Sequence, residues 1–142
     1  MFIGFEGSGL YKAAHLFTIN KQNTLEKLPN FQFILPEEDT NSFVSGHYGD
    51  ITGEGTKELV LILTNPNSGT KIYSWTIDVN NKFSRPLPPY QIKNEQTEAQ
   101  PINSYLSSVY PDKDNEIIIS FGSPERKVII LDYLGKIEET EV

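Results

Sequence analysis

Glu58-Leu59-Val60-Leu61-Ile62-Leu63-Thr64, then Asn65-Pro66-Asn67-Ser68-Gly69, then Lys71-Ile72-Tyr73-Ser74-Trp75-Thr76-Ile77-Asp78, is the stretch that decides the fold. Two short runs rich in β-branched, aromatic and aliphatic residues flank a cluster of turn formers, which is the pattern of strand, turn and strand. In the second run Tyr73, Trp75 and Ile77 fall on one side of a strand by alternation. Asn, Pro and Gly supply the fixed-φ and positive-φ positions that a tight turn requires.

Working outward, the same kind of run recurs at Phe2–Phe5, Ala14–Ile19, Phe31–Leu35, Phe43–Tyr48, Tyr90–Lys93, Ile102–Leu106, Glu116–Phe121 and Lys127–Tyr133. Asn80-Asn81, Pro86-Leu87-Pro88-Pro89 and Gly122-Ser123-Pro124 stand between runs as turn signals. Helical periodicity is scarce, so the sequence predicts an all-β fold.

A shift of 58 residues superposes the chain on itself in three copies. Ile3, Leu61 and Ile119 align, as do Phe5, Leu63 and Phe121; farther on Ala14, Ile72 and Ile130 align, then Phe17, Trp75 and Tyr133. Val44 also falls on Ile102, Glu58 on Glu116, and Asn23 on Asn81 in a polar turn. One copy holds about four short strands, a sheet that cannot bury both faces alone and must stack on its neighbours. That predicts four-stranded antiparallel blades of a β-propeller, for which a repeat of ~40–60 residues is suitable. Residues 1–40 then form a partial blade (strands two to four), 41–98 a full blade and 99–142 a partial blade (strands one to three). Propellers close with roughly 4–8 blades, so the reading is of an incomplete segment of a longer propeller. A ring assembled from several chains and a compact sandwich of about ten strands are the structural alternatives.

Composition bounds the function. The 142 residues carry 12 Lys and Arg against 19 Asp and Glu, a formal charge of −7, which disfavours a nucleic-acid backbone as partner. Without cysteine there is no disulfide framework, thiolate metal site or cysteine nucleophile. The apolar runs are far short of the ~20 residues of a membrane helix, and the start shows no secretory signal, so compartment stays unread.

One loop carries candidate chemistry: Gly49-Asp50-Ile51-Thr52-Gly53-Glu54-Gly55-Thr56-Lys57-Glu58. Oxygen-bearing side chains occupy positions 50, 52, 54 and 58, with the Thr56 carbonyl available, and glycines permit the winding that a hard cation needs. Asp50, Thr52, Glu54, Thr56 and Glu58 are therefore candidate ligands of a structural Ca²⁺.

Here the chain resembles the FG-GAP (integrin α-type) β-propeller repeats, whose loop reads Gly-Asp-x-x-Gly-Asp-Gly-x-x-Asp/Glu before a short apolar strand. Gly49-Asp50, Gly53, Gly55 and Glu58 match, and Leu59-Val60-Leu61-Ile62 is similar to the strand. The third copy keeps Asp112, Asp114 and Glu116 without the glycines, then Gly122-Ser123-Pro124 where the family often has Gly-Ala-Pro. Thr52 and Glu54 depart from the family's usual Asp or Asn. The resemblance implies a non-enzymatic module for protein–protein interaction or scaffolding, with another protein or further blades as partner. The acidic balance favours a neutral or basic partner, met by connecting segments such as Pro86–Pro89 and Asn94–Pro101.

Other residues carry less. His15 aligns with Tyr73 and Leu131 and reads as a packing residue; His47 aligns with Tyr105 in the innermost strand. Those two hint at the alternative, an enzyme or carbohydrate-binding propeller acting at its channel mouth. Gly4-Phe5-Glu6-Gly7-Ser8-Gly9 lacks the helix and lysine of a phosphate loop. Glu37-Glu38-Asp39 and Glu138-Glu139-Thr140-Glu141 read as solvated charge, although Thr140-Glu141-Val142 also fits a carboxylate-capture pattern.

Overall fold

A computed structural model describes residues 2–8, 11–35, 43–65, 68–78, 82–84, 88–93, 101–112, 114–122, 126–134 and 136–142. The Glu37-Glu38-Asp39 run, the Asn80-Asn81 pair and residues 94–100 lie outside them, as do Gly9, Pro66-Asn67, Pro86-Leu87 and Ser123-Pro124. The fold is all-β, in antiparallel sheets, with no helix among the described residues, hence none long and apolar enough to cross a membrane. The chain divides into two units, Met1–Asn41 and Ser42–Val142.

The first unit is one sheet in the order β1 (Phe2–Ser8), β2 (Tyr11–Ile19), β3 (Leu25–Ile34). Asn23 takes a positive φ of 60° in the turn between β2 and β3, a conformation asparagine tolerates. The Asn20 side chain accepts from the Gln22 and Thr24 amides at 3.0 Å each, which holds that turn. β3 therefore starts at Leu25, well before the expected Phe31.

The second unit holds two sheets. In one, β4 (Phe43–Gly49), β5 (Lys57–Asn65) and β6 (Gly69–Ile77) form a meander. Its outer edge carries two fragments, β7 (Phe83–Ser84) and β8 (Tyr90–Gln91), each paired with β6. Pro88 and Pro89 lie between the fragments and have no amide to give to a ladder. The other sheet runs β9 (Pro101–Ser107), β10 (Glu116–Phe121), β11 (Val128–Tyr133), β12 (Ile137–Glu141). This fourth strand corrects the expectation that the third copy stops after three. Glu138 to Glu141 are paired to β11, Ile137 and Glu139 half-buried and Glu138, Thr140 and Glu141 exposed, because a strand needs only one face covered.

The 58-residue shift survives in the first two strands of these sheets. Gly49 pairs with Glu58 and Ser107 with Glu116; His47 pairs with Val60 and Tyr105 with Ile118. In the third strand it does not. Trp75 lies opposite Leu59, whereas Leu131, not Tyr133, lies opposite Ile117; Phe17 lies opposite Phe2. The expected column Phe17, Trp75, Tyr133 is thus out of register; the residues that do share a register, opposite Ile3, Leu61 and Ile119, are Leu16, Tyr73 and Ile129, all buried. Hairpin length explains the slip, because the turns after β1, β5 and β10 differ in residue count and each displaces the strand that follows.

The core of the second unit joins its two sheets. Val60 and Ile62 of β5 and Ile72 of β6 pack in one cluster with Ile117, Ile119 and Phe121 of β10 and Ile129 and Leu131 of β11. The two sheets use opposite faces. Val60 and Ile62 correspond to Ile118 and Ser120, while Ile117, Ile119 and Phe121 correspond to Leu59, Leu61 and Leu63. The contact is therefore head-to-tail, the front of one sheet on the back of the next. β5 is buried on both faces, with Leu59, Leu61 and Leu63 at most 1% exposed.

Candidate functional site

The loop from β4 to β5 is held by its own carboxylates. Asp50 Oδ1 accepts from the Thr52 and Gly53 amides (3.2 and 2.8 Å) and Oδ2 from the Gly55 amide (2.8 Å). Gly53 and Gly55 have φ of 73° and 81°, which lets consecutive amides turn inward toward one side chain. Glu58, with no exposed surface, accepts from the Ile51 amide at 2.9 Å, from Thr56 Oγ1 at 3.2 Å and from Thr52 Oγ1 at 3.5 Å. Burial first, and the Asp50 charge with it, push the Glu58 carboxyl above its ordinary range against these bonds. Of the five residues expected as ligands, Thr52, Thr56 and Glu58 meet through these bonds, Asp50 is bonded to amides, and Glu54 is exposed. Three of the acceptor positions of Asp50 are thus taken by amides, which leaves one on Oδ2.

The corresponding loop of the third sheet lies beside it. The Asp50 carbonyl accepts both the Asn115 amide (2.7 Å) and Asn115 Nδ2 (3.1 Å), and Gly53 sits against Asp114. Glu116 repeats the bond of Glu58: its Oε2 accepts the Val109 amide at 2.5 Å. The rest differs. Asp112, Asp114 and Asp132 bring carboxylate oxygens within 4.8 Å of one another, Asp132 coming from β11. Glu116 Oε1 and Asp132 Oδ1 are buried without a hydrogen-bond partner among the described residues. Burial first raises the Asp114 and Asp132 carboxyls; for Asp114 a bond to Asp112 adds to it, and for Asp132 the charges of Glu116 and Asp112 do.

A third cluster joins the first strands of the two sheets. Ser104 Oγ lies 2.8 Å from Ser45 Oγ and 2.8 Å from His47 Nε2. Burial lowers the His47 pKa, favouring a neutral imidazole. Tyr105, which aligns with His47 and holds the equivalent ladder position, is 46% exposed and lies on the face of β9 opposite to Ser104. His15 is buried in β2. Glu139 is engaged, its Oε2 accepting from Tyr90 Oη at 2.9 Å and from the Lys93 amide at 3.0 Å.

Sequence reasoning missed Ser104 and Asp132. Ser104 could have been found by pairing His47 across the two innermost strands, but no spacing signals it. Asp132 needed the corrected register, because only that places it one step along β11 from Leu131, whose partner Ile117 follows Glu116.

No family model, curated protein or solved structure matches the chain.

Proposed function

We propose that the chain is a segment of a propeller-type repeat protein, in the FG-GAP pattern, and serves as a non-enzymatic module for protein–protein interaction. The observation that carries this is the head-to-tail packing of two sheets matched in register over their first two strands, Val60 and Ile62 against Ile117, Ile119 and Phe121. A sandwich made from two equivalent sheets by a two-fold axis presents the same face from each; a heterologous contact instead repeats, as stacked blades do. The carboxylate-braced loops are the rigid edge features on such a scaffold, and the formal charge of −7 suits a neutral or basic partner. A Lys/Arg-rich peptide binds the chain more tightly than a Glu-rich peptide of the same length, and the binding weakens as salt rises. Preference for the Glu-rich peptide, or binding indifferent to salt, overturns the partner reading.

The Ser104–His47 pair favours a second reading, an enzyme acting where the innermost strands meet, because a hydroxyl bonded to a neutral imidazole is the core of a nucleophilic pair. A fluorophosphonate probe separates the readings. The interaction module leaves Ser104 unlabelled in both wild type and His47→Ala, and labelling that depends on His47 supports the enzyme.

A further inference from the structure

The three sheets treat their outer edges differently. In the second sheet that edge is cut into two fragments of two residues each, β7 and β8, with Pro88 and Pro89 between them. In the third sheet it is β12, five residues of which Glu138, Glu139 and Glu141 are acidic. Short, proline-broken or charged strands are the usual guards against pairing with another chain. The outer strand of the first sheet lacks them over its second half. β3 runs for ten residues, and among the described residues no strand but β2 pairs with it. Pro29 falls inside the register shift between the pairs His15–Gln32 and Phe17–Lys27, so the irregular part of β3 ends before Gln32. After Pro29 the strand reads Asn30-Phe31-Gln32-Phe33-Ile34, five residues without charge, proline or glycine. An uncharged run rich in aromatic and β-branched residues is the composition that joins strand edges. Gln32 and Ile34 are exposed, Ile34 at 53%, while Phe31 is buried and Phe33 half-buried on the other face.

We propose that β3 is a self-association edge, on which the β3 strands of two copies of this chain pair antiparallel about a two-fold axis at Gln32. Two three-stranded sheets thereby become one continuous sheet. An antiparallel pair sets residues of the same face opposite each other, so the axis must pass through a residue rather than between two. Gln32 is the midpoint of the run that follows Pro29. Gln32 then lies opposite Gln32 of the second copy, Phe31 opposite Phe33, and Asn30 opposite Ile34. Aromatic pairs directly across a ladder are stabilising, and two glutamine side chains can each donate and accept.

Charge selects a second copy as the occupant. Residues 1–35 hold three Lys and two Glu, a formal charge of +1, so the rest of a chain at −7 carries −8. Copies that meet through the acidic remainder repel, and copies that meet through the first sheet do not. The basic partner suited to the remainder has no charge to meet at β3. A two-fold contact uses the same patch on both copies and closes at the dimer. The inference stands on the first sheet alone and does not depend on the interaction reading.

Sedimentation equilibrium of the full chain tests this, over a range of about 5 to 500 µM because a contact of one strand pair is small. The expected result is a monomer–dimer equilibrium, with slower amide exchange over Phe31–Ile34 at the top of the range than at the bottom. Gln32→Lys and Gln32→Glu each weaken association roughly tenfold or more, since like charges then face each other across the axis. An equimolar mixture of the two variants recovers it, and added salt narrows the gap. Thr140→Lys, at an exposed position on the outer edge of the third sheet, leaves association within about twofold. The exchange measurement uses wild type alone, so it decides the matter even where a variant does not fold. The proposal is overturned if wild type stays monomeric throughout, if association runs past the dimer, or if exchange over Phe31–Ile34 is the same at both ends. It is overturned equally if the Gln32 variants associate as wild type does, or if their mixture associates no better than either alone.

Discussion

The Ile51 amide donates to the buried Glu58 carboxylate at 2.9 Å, closing the loop from inside. One repeat later the Val109 amide donates to Glu116 in the same way. In these two sheets the bond closes the turn into the second strand, immediately before the residues of that strand that face the neighbouring sheet. From it follows a stability prediction. Glu58→Ala leaves the Ile51 amide without its acceptor, at a cost of about 1–3 kcal/mol, while Glu58→Gln keeps an acceptor oxygen and costs less. Denaturant midpoints of the two variants check the order, and equal midpoints contradict it.

Asp50 gathers three amides of its own loop. Asp50→Ala frees all three and loosens the turn, lowering stability by about 1–2 kcal/mol. Amide hydrogen exchange at Gly53 and Gly55 rises in the variant. Unchanged protection there contradicts the bracing role.

Acidity acts in a direction set by three carboxyls. Glu58, Asp114 and Asp132 all have folded pKa values above their ordinary ones, with burial the largest cause for each. Between the unfolded values, about 4, and the raised folded ones, the native state holds more protons than the unfolded chain. The stability these groups contribute is complete below the unfolded values and is lost as pH rises through the folded ones. The contribution of these groups therefore falls as pH rises through their raised folded values, the melting temperature falls with it, and Asp132→Asn shows a smaller difference. A larger difference in that variant contradicts the assignment.

His47 works in the opposite sense. Burial lowers its pKa, so its contribution is present above the usual imidazole value and fades as pH falls through the unfolded and then the folded value. Ser104→Ala removes its Nε2 partner and the Ser45 contact, at a cost of about 1–2 kcal/mol. An NMR titration of the imidazole finds His47 titrating below the ordinary imidazole value; a value at or above it contradicts the assignment.

Much of the fold was legible because short apolar runs and turn residues report strands directly. Glu58 on Glu116 holds in the paired strands, whereas Val44 on Ile102 does not: Leu63 pairs with Val44 but Phe121 pairs with Pro101, past an irregularity between Ser120 and Phe121. The column of Phe17, Trp75 and Tyr133 misled because a sequence shift carries no information on how many residues a hairpin turn consumes. β12 was obscured by charge: an edge strand with one covered face reads like a solvated tail. The Asp50 loop was legible as a winding turn, since glycines at 53 and 55 permit it. The Asp132 contribution was not, because cross-strand neighbours depend on register and not on distance along the chain.

The central claim is that the sheets are repeats which bury their flanks only against a sibling. Chemical unfolding of residues 42–142 and of residues 99–142, followed by tryptophan or tyrosine emission, tests it most directly. The account predicts one cooperative transition for the longer piece and none for the shorter, whose Ile117, Ile119 and Phe121 lose Val60 and Ile62. A shorter piece that unfolds cooperatively at the midpoint of the longer one contradicts it.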